Sequence, residues 1–123
     1  AFMWIFDITN ETRPVPVATF QVSEKERQRF GEGRFGAHQP HEYVGPDNLV
    51  YAAWFSGGLR VIDISNPYRP EEAAHYVPKP APGLRSAQTN DVFIDQKGLI
   101  YIIDRNNGLD ILKLSRTGKG INR

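Results

Sequence analysis

The chain contains no cysteine among its 123 residues. That excludes disulfides, thiolate metal sites and cysteine nucleophiles in one step. It leaves the compartment open, because exported proteins also lack cysteine. No apolar run approaches the roughly 20 residues of a transmembrane helix, so membrane insertion is not expected. An excess of one charge is also missing: 15 basic and 14 acidic residues leave a net charge of +1. Without a basic surplus there is no general attraction to phosphate backbones, and nucleic acid is not an expected partner. Ala1-Phe2-Met3-Trp4-Ile5-Phe6 is apolar but runs straight into Asp7, with no basic region ahead of it. It therefore does not read as a signal peptide, although one could have been removed before Ala1. No P-loop, nucleotide glycine fingerprint, nucleophile elbow or H-E-x-x-H pattern occurs. Gly31-Glu32-Gly33-Arg34 is too short and too charged for a phosphate loop.

What the chain does have is repetition. Leu49-Val50-Tyr51 is followed by Gly58-Leu59, and 50 positions on Leu99-Ile100-Tyr101 is followed by Gly108-Leu109 at the same spacing. Trp4-Ile5-Phe6-Asp7-Ile8-Thr9-Asn10 returns 56 positions later as Arg60-Val61-Ile62-Asp63-Ile64-Ser65-Asn66, and Arg13-Pro14 returns as Arg69-Pro70. Short runs rich in Val, Ile, Phe, Tyr and Trp, bounded by Gly, Pro, Asn and Asp, read as strands. They fall at residues 2–8, 16–22, 41–44, 50–55, 59–64, 73–77, 91–94, 100–104 and 109–114. Gly45-Pro46-Asp47-Asn48 matches Asp95-Gln96-Lys97-Gly98, and Ser56-Gly57-Gly58 matches Asn106-Asn107-Gly108, as tight β-turns.

Four-stranded antiparallel units at this spacing are blades of a β-propeller, so the expected fold class is all-β. Residues 1–22 supply two strands of a first blade, 37–77 a complete blade and 88–115 three strands of a last one, about two and a quarter blades in all. Residues 23–36 form a charged, Gly-rich excursion with capping-box spacing at Ser23 and Glu26, which allows one or two helical turns. Its mixed charges read as solvent-facing. Residues 78–87 are a stiff, Pro-rich connection and 116–123 a tail. So few blades cannot close a ring. The expected partners are therefore the remainder of a larger propeller or other copies of this chain, the former being the simpler reading.

LRVIDISNPYRP, ending at Pro70, and MWIFDITNETRP, ending at Pro14, resemble the LVIVD-repeat family of bacterial and archaeal proteins. GAHQPHEYVGPDNLVYAAWFSGGLRVIDISNPYRP and QTNDVFIDQKGLIYIIDRNNGLDIL resemble its wider pattern. The resemblance implies a β-propeller and an exported or cell-surface setting, and little about activity. A narrower likeness, confined to Asp63-Ile64-Ser65-Asn66-Pro67, is to the selenium-binding proteins and methanethiol oxidases. The motif also has a mechanical reading. Alternation in Val61-Ile62-Asp63-Ile64 feeds two apolar blade faces. Asp63 and Asp7 then end their strands, their carboxylates accepting N–H groups of the following turn.

Strand direction places the approaches to the first strands and the second-to-third turns at one end, the expected mouth of the central channel. The residues gathered there are the candidate binding set: His38, His41, Glu42, Trp54, Asn90, Asp91, Asp104 and Arg105. Each has a structural reading beside the functional one: the histidines satisfying backbone groups, Asp91, Asp104 and Arg105 pairing between blades, Trp54 and Phe55 packing. His38 and His41, with Glu42 adjacent, are also candidate ligands for a transition metal, although H-x-x-H in a strand points its rings to opposite faces. No cofactor is otherwise expected. His75 reads as exposed on an outer strand. Two functions follow. One is a binding or scaffolding module for a protein, peptide or glycan. The other is a metal-dependent propeller oxidase or hydrolase. The lack of a complete catalytic constellation favours binding.

Overall fold

The computed structural model describes residues 1–30, 32–115 and, as backbone, 120–122. Three antiparallel sheets follow one another along the chain. The first pairs β1 (Met3–Asp7) with β2 (Val15–Phe20). A seven-residue helix, α1 (Glu24–Phe30), follows. The second sheet is β3 (Leu49–Ala53), β4 (Leu59–Asp63) and β5 (Glu71–Tyr76). The third runs β6 (Thr89–Ile94), β7 (Leu99–Asp104), β8 (Gly108–Ser115) and β9 (Gly120–Asn122). This is the blade-type all-β architecture that the repeats imply, with helix confined to one short turn-rich segment. Among the described residues no helix is long and apolar enough to cross a membrane.

The strand expected at 41–44 does not form. The edge of the second sheet lies three residues earlier: His38 N–H donates to the Ala53 carbonyl (2.9 Å), Ala53 N–H to Gln39 (2.8 Å) and His41 N–H to Tyr51 (2.8 Å). Pro40 has no N–H and Pro46 follows close behind, so the ladder breaks into isolated rungs instead of a regular strand. Tyr43 and Val44 are exposed. The last blade also differs from the expected three strands, because the backbone of β9 pairs with β8 from Lys113↔Asn122 to Ser115↔Gly120. The rest of the expected tail, 116–119 and 123, lies outside the described residues.

The middle sheet is buried on both faces. Leu59, Val61 and Ala74 meet Val92, Ile100, Ile102 and Leu112 of the third sheet. On the other side Ala52, Trp54 and Ile62 meet Phe20 and Val22. Strand alternation delivers the two sets, since Val61 and Ile62 are neighbours yet serve different interfaces. The outward faces of the flanking sheets stay open. Phe2, Trp4, Phe6 and Ile8 line one, the first three in ring contact at 5.7 and 6.0 Å. Phe93, Ile103, Leu109 and Ile111 line the other.

Matched turns take matched conformations. Asn48 and Gly98 both have positive φ and both donate N–H to a residue three back. Gly58 and Gly108 have φ of +73° and +84°. Their surroundings differ. A Cβ at Gly58 would fall 2.1 Å from the Tyr76 carbonyl oxygen, whereas one at Gly108 meets nothing within 4 Å. Gly108→Ala is therefore expected to cost about 1–2 kcal/mol, the left-handed penalty alone. Gly58→Ala should cost at least about twice that, because backbone and not a side-chain tip must move. Urea midpoints for the two variants check this; equal losses would contradict the close approach.

Candidate binding end of the blades

Phe55 sits where β3 turns toward β4, in a left-handed conformation (φ +48°) that is uncommon for a bulky residue. Two reciprocal backbone bonds hold it to Thr89, Phe55 N–H to Thr89 O (3.0 Å) and Thr89 N–H to Phe55 O (3.1 Å). A third bond, Ser56 N–H to Arg34 O (3.0 Å), ties in the excursion after α1. Two repeats and the excursion before them thus meet at Phe55.

That ring is covered by cationic and imidazole groups. The Arg34 guanidinium lies 4.4 Å from its centroid, that of Arg105 5.5 Å, and the His38 ring 4.5 Å. Asn90 orients two of them. Its side-chain oxygen accepts from Arg105 Nε (2.6 Å), and its carbonyl accepts from His38 Nδ1 (2.7 Å). The carbonyl can only accept, so Nδ1 carries the proton and Nε2 is an acceptor in the neutral ring. Neither Arg34 nor Arg105 has a carboxylate partner among the described residues. Guanidinium over an aromatic face is favourable by about 0.5–1 kcal/mol at exposed sites, so Phe55 orders the cations while leaving most of their N–H donors unspent.

Of the residues picked out from sequence, His38, Asn90 and Arg105 come together here. The others do not join them. His41 lies against Tyr43 and Phe93, at 6.1 and 5.7 Å between rings, apart from the Phe55 cluster. Glu42 is exposed beyond it. Trp54 is fully buried, edge-on to Phe20 at 5.8 Å, because its strand position faces the first sheet. Asp104 is buried and caps its own turn, accepting from the N–H groups of Gln88, Asn106 (2.9 Å) and Asn107 (3.1 Å). Asp91 accepts from Val92 N–H (2.8 Å). Among the described residues no three His, Asp or Glu side chains are grouped to hold a metal ion. Arg34 was missed because only the chain crossing from one repeat to the next brings it to Phe55.

The charged excursion faces solvent along most of α1, as its mixed charges imply, but it is tethered through Glu26. Arg60, 0% exposed, donates Nε to Gly57 O (2.9 Å) and Nη1 to both Glu72 oxygens (3.2 and 3.1 Å). Glu26 of α1 reaches the same Nη1 at 3.6 Å. His75, exposed as expected, hydrogen-bonds Glu72 (2.8 Å) and lies 3.9 Å from Glu26. Stripping a buried charge of its partner costs about 3–5 kcal/mol, so this cluster fixes α1 against the second sheet.

The strand-ending aspartates behave as the local turn requires. Asp7 accepts from Thr9 hydroxyl (2.6 Å) and N–H (2.8 Å), and Asp63 from Ser65 N–H (2.8 Å). Asn10 and Asn66 repeat the device three residues on, to Thr12 and Tyr68 N–H. With these geometries in place, the family model of the LVIVD repeat matches residues 47–77, from the turn before β3 to the end of β5. Residues 47–77 therefore carry an LVIVD repeat. No curated protein and no solved structure matches the chain. The likeness to the selenium-binding proteins expected at Asp63–Pro67 finds no support in these comparisons.

Hydrogen bonds from Ser65, hydroxyl first, hold the Asp63 carboxyl below the usual range. Thr9 does the same for Asp7, and Leu99 N–H leads the lowering of Asp95. A carboxyl lowered in the folded state stabilises fully above its unfolded pKa and loses that contribution as pH falls through the folded value. The denaturation midpoint should be flat from neutral pH to about 5 and fall below about 4. An Asp63→Ala, Asp95→Ala double variant should be less stable at neutral pH and show a shallower acid limb in the same titration. An unchanged acid limb would contradict this assignment.

Proposed function

We propose that this chain is a binding and scaffolding module of propeller blades, working through the end built on Phe55. The observation that carries the reading is the convergence of Arg34, His38 and Arg105 on one ring, with Asn90 orienting two of them and no carboxylate among the described residues spending their charge. Such a surface offers outward N–H donors and an imidazole on a rigid sheet framework. It suits acceptor-rich ligands: a protein loop, a peptide or a glycan. Screening the purified chain on peptide and glycan arrays tests it. The expected result is a binder lost in Arg105→Ala and Asn90→Ala, with the far-ultraviolet spectrum unchanged. Binders indifferent to both substitutions would overturn it.

The scaffolding half rests on the open sheet faces. Leu109 and Ile111, half exposed, occupy the repeat positions of Leu59 and Val61, which are buried between the second and third sheets. Trp4 and Phe6 occupy those of Arg60 and Ile62, buried toward the first sheet. The two open faces are thus the next-facing and previous-facing halves of one interface type. Large apolar faces of this kind drive association. The chain by itself should associate head to tail with further copies, and Trp4→Glu or Leu109→Glu should shift sedimentation toward monomer. A wild-type monomer at high concentration would contradict it. The alternative, a metal-dependent oxidase or hydrolase, needs His38 and His41 on one ion, while their rings have different neighbours. About one transition metal per purified chain, lost in His38→Ala and His41→Ala, would favour it instead.

A further inference from the structure

A cavity of about 440 Å³ lies at the same end, beside the Phe55 cluster, between the end of α1 and the Pro-rich connection after β5. Its volume falls within the range of small-molecule pockets. Its charged lining is one-sided: Arg29, Lys79 and Arg85 against a single acid, Glu32. Lys79 and Arg85 have no carboxylate partner among the described residues. Arg29, its side chain 70% exposed, has a 4.0 Å contact to Glu26 and lies 4.9 Å from the centroid of the Phe30 ring.

A second observation points inward. Ser56 lines the cavity, is 1% exposed, and its hydroxyl has no hydrogen-bond partner among the described residues. An unsatisfied buried hydroxyl is costly, so it marks a position suited to an oxygen-bearing guest. Both walls are held in place. Glu26 fastens α1 to buried Arg60. Pro78 and Pro80 stiffen the opposite wall, and Asn107 Nδ2 donates to Lys79 O (3.2 Å), pinning it to the third sheet. Apart from Ser86, the remaining lining is apolar, including Phe30 and Val77.

We propose that this cavity binds a small ligand carrying one oxyanion, phosphate or carboxylate, on an apolar body. Lys79 and Arg85 meet the anion, Ser56 donates its hydroxyl to it, and the Phe30–Pro78 side receives the body. The site is separate from the Asn90 cluster, so either can fail without the other.

Calorimetric titration of the full chain with phenyl phosphate, benzoate and inorganic phosphate tests the proposal. Saturable binding of phenyl phosphate or benzoate is expected, tighter than inorganic phosphate; whichever of the two binds more tightly identifies the anion. Arg85→Ala and Lys79→Ala should each weaken it about tenfold or more, the loss of one charge-assisted hydrogen bond. Ser56→Ala should weaken it less. Arg105→Ala should leave it unchanged. Failure of all three probes to saturate at millimolar concentration overturns the proposal. So does binding insensitive to Arg85 and Lys79, or binding lost only in Arg105→Ala, which would assign the anion to the Phe55 cluster.

Discussion

β4 has no solvent face, and the arrangement of the other elements follows from that constraint. Leu59 and Val61 pack on the third sheet while Ile62 packs toward the first. Full burial of each such side chain is worth about 1.5–3 kcal/mol. Truncating one to alanine also leaves a cavity that close-packed neighbours cannot fill. Because both faces must be covered, the second sheet cannot exist without a sheet on each side. The first and third sheets inherit the same need on their outward faces. Phe2, Trp4 and Phe6 on one flank and Leu109 and Ile111 on the other are the exposed apolar side chains that this need leaves.

Arg60 is the exception inside β4, and it explains what the excursion is for. A fully buried guanidinium demands partners, and Glu72 on the adjacent strand supplies two oxygens. Glu26 comes from a helix that no sheet pairing would otherwise hold. The short helix is marginal alone, since seven residues cannot offset the cost of nucleation. Its attachment to Arg60 supplies what local propensity lacks. In the first sheet the equivalent position is Trp4, exposed and in ring contact with Phe2 and Phe6, so the slot that anchors α1 in one repeat carries an open aromatic side chain in the other.

The end of the blades gathers polar chemistry for a related reason. Sheet interiors take the apolar residues and the opposite end is made of tight turns. The approaches to the inner strands are left free to carry Arg34, His38, Asn90 and Arg105. Phe55, strained and bonded to Thr89, is the hinge between two repeats. The candidate pocket next to it is walled by the two inter-blade connections, the segments least constrained by the repeat.

The blade architecture was legible in the amino-acid order, because short-period alternation and the 50- and 56-residue repeats are local signals. So were the aspartate turns, since Asp7 to Thr9 and Asp63 to Ser65 span two residues. The expected strand at 41–44 failed because Pro40 and Pro46 disrupt a ladder whose register depends on β3, far from the local pattern. The candidate site was half legible: His38, Asn90 and Arg105 stood out as polar residues at one end, but nothing local separated them from Trp54, which alternation turns inward. Arg34 beside Phe55, Glu26 beside Arg60 and the cavity between two connections are long-range meetings. Sequence determined which residues could pair along and across strands. Only the stacking of three sheets, driven by burial of both faces of the middle one, decided which charges lost their water and which kept it.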